Sequence, residues 1–325
     1  MSAVVTASAW PAALDERLAS SLVCEYASLT RAGTPVTWAV TPYVGDGTLD
    51  ISTGLSYPDK AERARRNPEV ALLFSDPTGS TSRDVVLVQG RAAVRDRDLQ
   101  SNTDRYVAAS LARTTGFKGM PWPLVRRMGW YFARIWVEVT PHRVLWWPDG
   151  DLAAAPREWR PERAPAPTVS DPAPAGKRLA SRTTPPVEWR PFAERAEHLG
   201  APVVTGVVDG RPLPLKARSA ERTAEGFRVT LPVGLSMESG PVCLTFHQVG
   251  EGLQWQENVV LLGSAEVRGD QAEVRVERAL NDWSLSGRRL ERMRAFTGPG
   301  KVLRQRLEHE AARRGQSVPV VNRPR

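Results

Sequence analysis

Cysteine is almost absent from this chain, since only Cys24 and Cys243 occur among its 325 residues. Two cysteines so far apart cannot build a disulfide framework, and they are too few for a cysteine-ligated zinc or iron–sulfur site. Histidine is nearly as scarce, and no histidine pair has the spacing of a metal-binding helix motif. We therefore expect no metal site. The four histidines are His142, His198, His247 and His309.

Long apolar segments are also missing, because no run approaches the roughly 20 apolar residues that a membrane-spanning helix needs. Residues 1–11 have no basic region ahead of an apolar core, so they do not indicate a signal peptide. Neither a helix-opening Gly-x-Gly-x-x-Gly motif nor a Gly-x-Ser-x-Gly motif occurs, which leaves a Rossmann domain and a serine hydrolase unsupported. These absences predict a cytoplasmic protein that does not contact a membrane.

The composition is that of an ordinary globular protein, with 41% hydrophobic and 25% charged residues. The chain is long enough for two domains. Its formal charge is +8 and its pI is near 10. The arginines are spread along the chain and interleaved with Asp and Glu, so a nucleic-acid partner is not expected. A phosphorylated ligand requires only a local positive site.

Hydrophobic patterning predicts a mainly β protein with inserted helices, in which hairpin-linked strands form a small barrel rather than a parallel sheet. The two cysteines are expected in a helix and in a strand, respectively. The predicted helices span residues 14–30 and 98–113. The predicted strands span residues 36–41, 49–53, 70–74 and 85–94, and two closing strands, 135–139 and 143–147, flank a turn at 140–142.

Residues 52–68 form the most informative stretch, which indicates a strand end, a short loop and a short helix. Ser56 has the position of a helix cap, and Pro58 falls in the first turn. Lys60 and Arg63 lie one turn apart near a helix N-terminus, where free N–H groups and the helix dipole favour an anion. The pattern fits a phosphate site, and it is also compatible with a solvated basic helix.

This stretch resembles a known motif through Thr53, Lys60 and the pair Asn67-Pro68, followed by the apolar strand at 70–74. The resemblance is to the pyridoxamine 5′-phosphate oxidase-like split β-barrels, also called the flavin/deazaflavin oxidoreductase superfamily. In that family a Thr or Ser at the strand end and the Lys hold the phosphate of FMN or of the deazaflavin cofactor F420.

The resemblance covers roughly residues 14–145 and implies a cofactor-binding set of Ser52, Thr53, Lys60 and Arg63. Arg63 stands where family members often carry another polar or charged residue. Trp136 lies on a strand of the kind that ends the family's barrel near the flavin ring. It could therefore border a flavin, or it could be a core residue of the barrel.

A second copy of the pattern begins after a Pro-, Ala- and Arg-rich segment. Residues 259–268 align without a gap with residues 86–95, and a glycine falls at the same place in both, at Gly90 and Gly263. We infer an internal duplication. The second copy has no Lys or Arg between Leu231 and Pro241, so it has lost the phosphate anchor.

The chain is accordingly divided into three parts, which together predict two tandem split β-barrels of the FMN-binding type with a degenerate second copy. Residues 1–147 form the first barrel, 148–186 a linker, and 187–325 the second barrel with basic C-terminal helices. Because the family's barrels pair and hold the cofactor in the groove between them, this chain would pair with itself. A further homodimer remains open.

These observations lead to a flavin-type oxidoreductase that binds FMN, or alternatively F420, and exchanges a hydride with a small organic substrate. In such an enzyme the ring carries the electrons and the protein supplies placement and electrostatics. The alternative is a non-catalytic protein that stores or senses a flavin or haem. His142 would be the candidate haem ligand in that case. No catalytic residue is predicted.

Overall fold

Two curled antiparallel sheets, each shaped as half of a barrel, carry most of the chain. They are seen in a computed structural model that describes residues 9–115, 120–163, 166, 168–179, 188–280, 284–285, 291, 294 and 300–324. The first sheet contains β1 (Cys24–Leu29), β2 (Pro35–Val40), β3 (Pro42–Val44), β4 (Leu49–Gly54), β5 (Glu69–Phe74), β6 (Val85–Arg95), β7 (Arg134–Trp147) and β8 (Arg157–Trp159).

The second sheet contains seven strands that follow the first sheet in sequence. They are β9 (Val203–Val208), β10 (Arg211–Lys216), β11 (Ser219–Arg222), β12 (Gly226–Thr230), β13 (Gly240–Val249), β14 (Gln256–Arg268) and β15 (Gln271–Ala279). The helices are α1 (Asp15–Ser20), α2 (Asp59–Arg66), α3 (Leu99–Arg113), α4 (Trp122–Arg126), α5 (Gly129–Phe132), α6 (Arg190–Ala196) and α7 (Gly300–Arg313).

The two sheets have the same strand order. The first runs β2-β1-β5-β6-β7-β4-β3 with β8 added on β7, and the second runs β10-β9-β13-β14-β15-β12-β11. Each strand of the second sheet therefore holds the same place in its sheet as the strand of the first sheet whose number is lower by eight, as β9 does relative to β1. This is the arrangement that an internal duplication produces, and it matches two split β-barrels.

A β-bulge falls at the glycine that the two sequence copies share. Pairing shifts between Gln89 and Gly90 in the first sheet, and between Leu262 and Gly263 in the second. A Cβ on Gly90 would lie 2.6 Å from the Thr140 carbonyl oxygen, and one on Gly263 would lie 1.9 Å from the corresponding oxygen of the facing strand. Both positions need glycine because the facing backbone comes so close.

Three local predictions are wrong. The helix predicted at 14–30 ends at Ser20, and Cys24 lies in β1, a strand buried at every residue. A strand buried on both faces loses its alternation, so periodicity cannot distinguish it from a buried helix. The turn predicted at 140–142 is the bulge inside one continuous strand, β7, with His142 as its extra residue. Ser56 does not cap α2, which starts after Pro58.

Each sheet encloses its own apolar core, and the two halves meet through equivalent strands. Strand β2 of the first sheet packs on β13 of the second, and β5 of the first packs on β10 of the second. Because β10 and β13 hold the places of β2 and β5 in their sheet, these two contacts are equivalent. Buried hydroxyls join the halves, with Thr37 Oγ1 2.6 Å from Thr205 Oγ1. A buried carboxylate and imidazole also join them, with Glu25 Oε1 2.5 Å from His247 Nε2.

The segments on either side of the second sheet return to the first one. In the described part of the predicted linker, β8 pairs with β7 and Trp159 packs against the first core. Helix α7 follows the second sheet in sequence, yet its Leu303, Leu307 and Ala311 belong to the first core. The C-terminal helix, which the sequence assigned to the part 187–325, thus packs with the first barrel.

Several expectations fall on residues that the structure does not describe. The end of the predicted linker at 180–186 lies outside the described residues, and so do Gly298 and Pro299, which the sequence places in a turn with Gly300 between two basic C-terminal segments. Among the helices that are described, none is long and apolar enough to cross a membrane.

Candidate functional site

Lys60, in the first turn of α2, lies against the indole ring of Trp38. Its ammonium nitrogen is 5.5 Å from the ring centroid, within the range of a cation–π contact. The side chain is partly buried, and burial together with the positive charges of Arg63 and Arg134 lowers the pKa of Lys60 to about 8. The protein therefore compensates the charge of the protonated ammonium only in part.

Arg63, one turn further along α2, is the second cation at this position. Its Nε donates a hydrogen bond to Ser28 Oγ at 3.0 Å, and burial lowers the pKa of its guanidinium. The carboxylate of Asp59 partly offsets both charges, but it is itself paired with Arg178 from the linker. Neither Lys60 nor Arg63 forms an ion pair with a carboxylate in the described part of the chain.

Arg134, the first residue of β7, is the third cation. Its Nη2 donates to Tyr106 Oη at 2.8 Å, and its guanidinium lies 4.0 Å from the Tyr106 ring centroid and 4.8 Å from that of Tyr131. Its Nε is buried and has no hydrogen-bond partner. Its charge, like that of Arg63, helps to lower the pKa of Lys60. The group of three cations keeps at least one unused donor, which suits an anion with several oxygens.

The apolar surface beside these cations comes from both halves of the molecule. Trp38 packs against a cluster in which Val36 of the first half contacts Val260 and Leu262 of the second. Leu280, just after β15, also packs against this cluster. The cations therefore lie at the edge of the groove between the two sheets, next to an apolar wall that neither sheet provides alone.

Ser52 and Thr53, predicted to bind the phosphate, are held in other contacts. Thr53 is 2% exposed and its hydroxyl donates to the Tyr57 carbonyl oxygen at 2.9 Å, which fixes the loop leading into α2. Ser52 precedes Thr53 on β4, so its side chain faces the opposite side of the strand, towards Tyr43. Of the four predicted phosphate ligands, the structure brings Lys60 and Arg63 together and places these two hydroxyls elsewhere.

Trp136, predicted to border the ring, lies in the core beneath α3. It is 1% exposed, its indole N–H donates to Asp50 Oδ2 at 2.9 Å, and its ring packs on Tyr43 with centroids 4.9 Å apart. The guanidinium of Arg105 covers the ring at 4.0 Å. Every side of the indole is in contact with protein, so we assign Trp136 to the core and not to the groove.

Sequence analysis missed Arg134 and Trp38. Arg134 lies 71 residues after Arg63 in sequence, and it reaches the site only because β7 pairs with β4, with Arg134 opposite Gly54. The sequence offered one sign of Arg134, since this arginine directly precedes the predicted apolar strand 135–139. Trp38 lies in a predicted strand, but its place beside Lys60 depends on the curl of the sheet, which periodicity does not report.

The second half lacks the equivalent site. Residues 231–239 between β12 and β13 form no helix and carry no Lys or Arg, where the first half has α2. Val233 N–H instead donates to the carbonyl of Leu152 in the linker, and Leu152 and Leu235 pack on an apolar cluster at the second contact between the halves. Linker residues thus pack on that side, beside a cavity of about 450 Å³ that Leu152 and Lys216 help to line.

His142, the candidate haem ligand, is already engaged. Its Nε2 lies 3.4 Å from Glu69 Oε2, and burial lowers its pKa. In the described residues no group of three or more His, Cys, Asp or Glu side chains could hold a metal ion.

Comparison with known proteins gave structural similarities only, because no protein-family model and no curated protein matches the chain. A putative pyridoxamine 5′-phosphate oxidase from Listeria innocua is 21% identical, over 38% of this chain and 86% of that one, with a TM-score of 0.27. An F420 reductase is 17% identical over 42% and 98% of the two chains, with a TM-score of 0.31.

A pyridoxamine 5′-phosphate oxidase-related, FMN-binding protein from Nostoc punctiforme is 14% identical over 42% of this chain and 80% of that one, with a TM-score of 0.29. All three similarities cover less than half of this chain. The split-barrel architecture described above rests on the strand order, and the function proposed below rests on the cation site.

Proposed function

We propose that the groove beside Lys60 binds the phosphate end of FMN, or alternatively of F420, and that the protein is an oxidoreductase. The observation that carries the proposal is the grouping of Lys60 with Arg63 and Arg134, none of which forms an ion pair with a carboxylate in the described part of the chain. Grouping three cations in a partly buried place is unfavourable for the folded protein alone. A phosphate dianion at this place would offset that cost.

The donors present fit a phosphate. The ammonium of Lys60 provides a compact charge, and the guanidinium forks of Arg63 and Arg134 can each donate two hydrogen bonds to phosphate oxygens. The unused Nε of Arg134 would gain a partner. Because binding neutralises the mutual repulsion, it should also return the pKa of Lys60 towards its ordinary value.

The apolar wall fits the ring end of such a cofactor. Trp38 lies directly beside Lys60, and Leu280 of the other half packs on the same apolar cluster as Trp38. A bound flavin or deazaflavin would supply the hydride chemistry, while the groove would hold the cofactor and exclude water. We further propose that the two halves act as the intramolecular counterpart of a dimer with one cofactor, since residues 231–239 carry no Lys or Arg where the first half has α2.

The test is to purify the protein, denature it and identify the released small molecule by mass and absorbance. We expect FMN or F420 in a ratio approaching one per chain. Protein that releases neither, and that binds neither when they are added, would contradict the proposal. Oxidation of the reduced cofactor by a panel of organic acceptors then separates an oxidoreductase from a protein that only stores the cofactor.

A further inference from the structure

A cavity lies between α4, α5, α7 and the segment 318–321. Its volume is about 370 Å³. This is within the range of small-molecule sites, which usually measure a few hundred cubic ångströms. None of its lining residues belongs to the cation site described above.

Charge around this cavity is strongly unbalanced. Arg126, Arg127 and Arg304 line it, against a single carboxylate from Glu308. None of the three arginines forms an ion pair in the described part of the chain. Two arginines at the end of α7 and just after it behave differently: Arg313 and Arg314 each pair with Glu310, at 3.1 Å and 2.6 Å.

The floor of the cavity is apolar, although it is open to solvent. Trp130 and Leu307 lie at its base, and Val318 and Val320 form one side. Val318 is 38% exposed and Val320 is 47% exposed, and Leu124 on the adjacent α4 is 50% exposed. Exposed apolar side chains grouped around a concave surface mark binding sites more often than isolated ones do.

We propose that this cavity binds a single-chain organic anion, with a carboxylate or phosphate head held by the arginines and an apolar body on Trp130 and the valines. Unpaired guanidinium groups select an anionic head, since each offers a planar fork of donors to its oxygens. The apolar floor selects a ligand that also has hydrocarbon to bury. A small inorganic anion would contact the arginines but leave the apolar floor uncovered.

The probe is dodecyl phosphate below its critical micelle concentration, titrated calorimetrically into the full chain. We expect it to bind at least tenfold more tightly than inorganic phosphate or dodecyltrimethylammonium. The variant Arg126→Glu/Arg304→Glu should lose at least tenfold in affinity. Both side chains are exposed and unpaired, so this variant should keep the wild-type melting temperature, which a thermal scan checks.

The matched control is Arg268→Glu/Arg275→Glu on the β14–β15 hairpin, whose arginine side chains are 87% and 75% exposed. It makes the same change in net charge and should bind the probe as wild type does. Equal affinity for the cationic detergent, or equal loss in both variants, would overturn the proposal. So would binding to anionic lipid vesicles without binding to monomeric probe, which would identify a membrane surface instead.

Discussion

Lys60 and Trp38 are in contact at the edge of the groove between the two halves, with the ammonium 5.5 Å from the indole centroid. They come from the helix and the strand on either side of β3 and β4. Trp38 in turn packs against residues of the second half, so this contact links the cation site to the junction of the sheets. A lysine in that position is poorly solvated, and its pKa of about 8 records the cost.

The pH dependence of cofactor binding follows from that pKa. In the cofactor-free protein Lys60 is protonated below pH 8 and loses its proton above it, while a phosphate monoester is a dianion above about pH 6. Binding raises the lysine pKa, so above pH 8 it must be accompanied by proton uptake. Affinity for FMN should therefore be nearly constant from pH 7 to 8 and fall above pH 8, by up to about tenfold per unit.

Titrations at pH 7, 8 and 9 measure this effect, and Lys60→Arg is the matched control because its guanidinium stays charged throughout. The pH dependence should be largely lost in that variant. A wild-type affinity that does not change between pH 8 and 9 would show that Lys60 does not sense the phosphate.

Because the same bulge is present in both sheets, we expect that replacing either Gly90 or Gly263 by alanine destabilises the protein. Gly263→Ala would place its Cβ 1.9 Å from the Arg275 carbonyl oxygen, and Gly90→Ala would place it 2.6 Å from that of Thr140. Both obstacles are backbone, so the strands must separate. We expect a loss of about 1–3 kcal/mol in the free energy of unfolding, with Gly263→Ala the more severe.

Gly129→Ala in α5 is the control, because no atom lies closer than 4.0 Å to its added Cβ. It should leave the free energy of unfolding unchanged or raise it, since alanine favours helix. Chemical denaturation measures all three variants. If the three lost equal stability, the close backbone approach would not be the reason for the glycines.

Removing the charge of Arg314 should strongly lower the free energy of unfolding. Its side chain is 2% exposed and contacts Asp96 at 2.9 Å, Glu310 at 2.6 Å and Glu62 at 3.5 Å, so it joins α7, α2 and the end of β6. Arg314→Met keeps much of the apolar stem but leaves these carboxylates with less compensation. Breaking a buried ion pair typically costs about 3–5 kcal/mol.

The comparison is Arg268→Met, which removes a pair with Glu266 in which both side chains are more than three-quarters exposed. Surface pairs of this kind contribute about 0–1 kcal/mol, so little change is expected. A thermal scan at neutral pH distinguishes the two variants. A near-wild-type melting temperature for Arg314→Met would mean that α7 is not held by this network.

The sequence was most informative where a pattern repeats or where a motif is local. The shared glycine, the strand at 70–74 and the short basic helix were all visible, because each depends on neighbours in sequence. The strand order of both sheets is the one that a repeated split barrel requires. The predicted helix at 14–30 was wrong because β1 is buried on both faces and shows no alternation.

The candidate site was only half visible for a related reason. Lys60 and Arg63 lie on one helix, so their proximity follows from helical spacing. Arg134 and Trp38 join them only through strand pairing and sheet curvature, which are long-range consequences of the fold. Thr53 and Trp136 have suitable residue types at suitable places in sequence, but hydrogen bonds to Tyr57 and Asp50 hold them in the interior.

The most direct test of the central claim compares the affinities for FMN and riboflavin, which differ by the phosphate, in wild type and in Lys60→Ala. Wild type should prefer FMN, and Lys60→Ala should lose about 1.5–3 kcal/mol of FMN binding, the scale of a charge-assisted hydrogen bond, with riboflavin binding unchanged. Equal affinity of wild type for the two ligands, together with an unaltered FMN affinity in Lys60→Ala, would contradict the claim that these cations bind a phosphate.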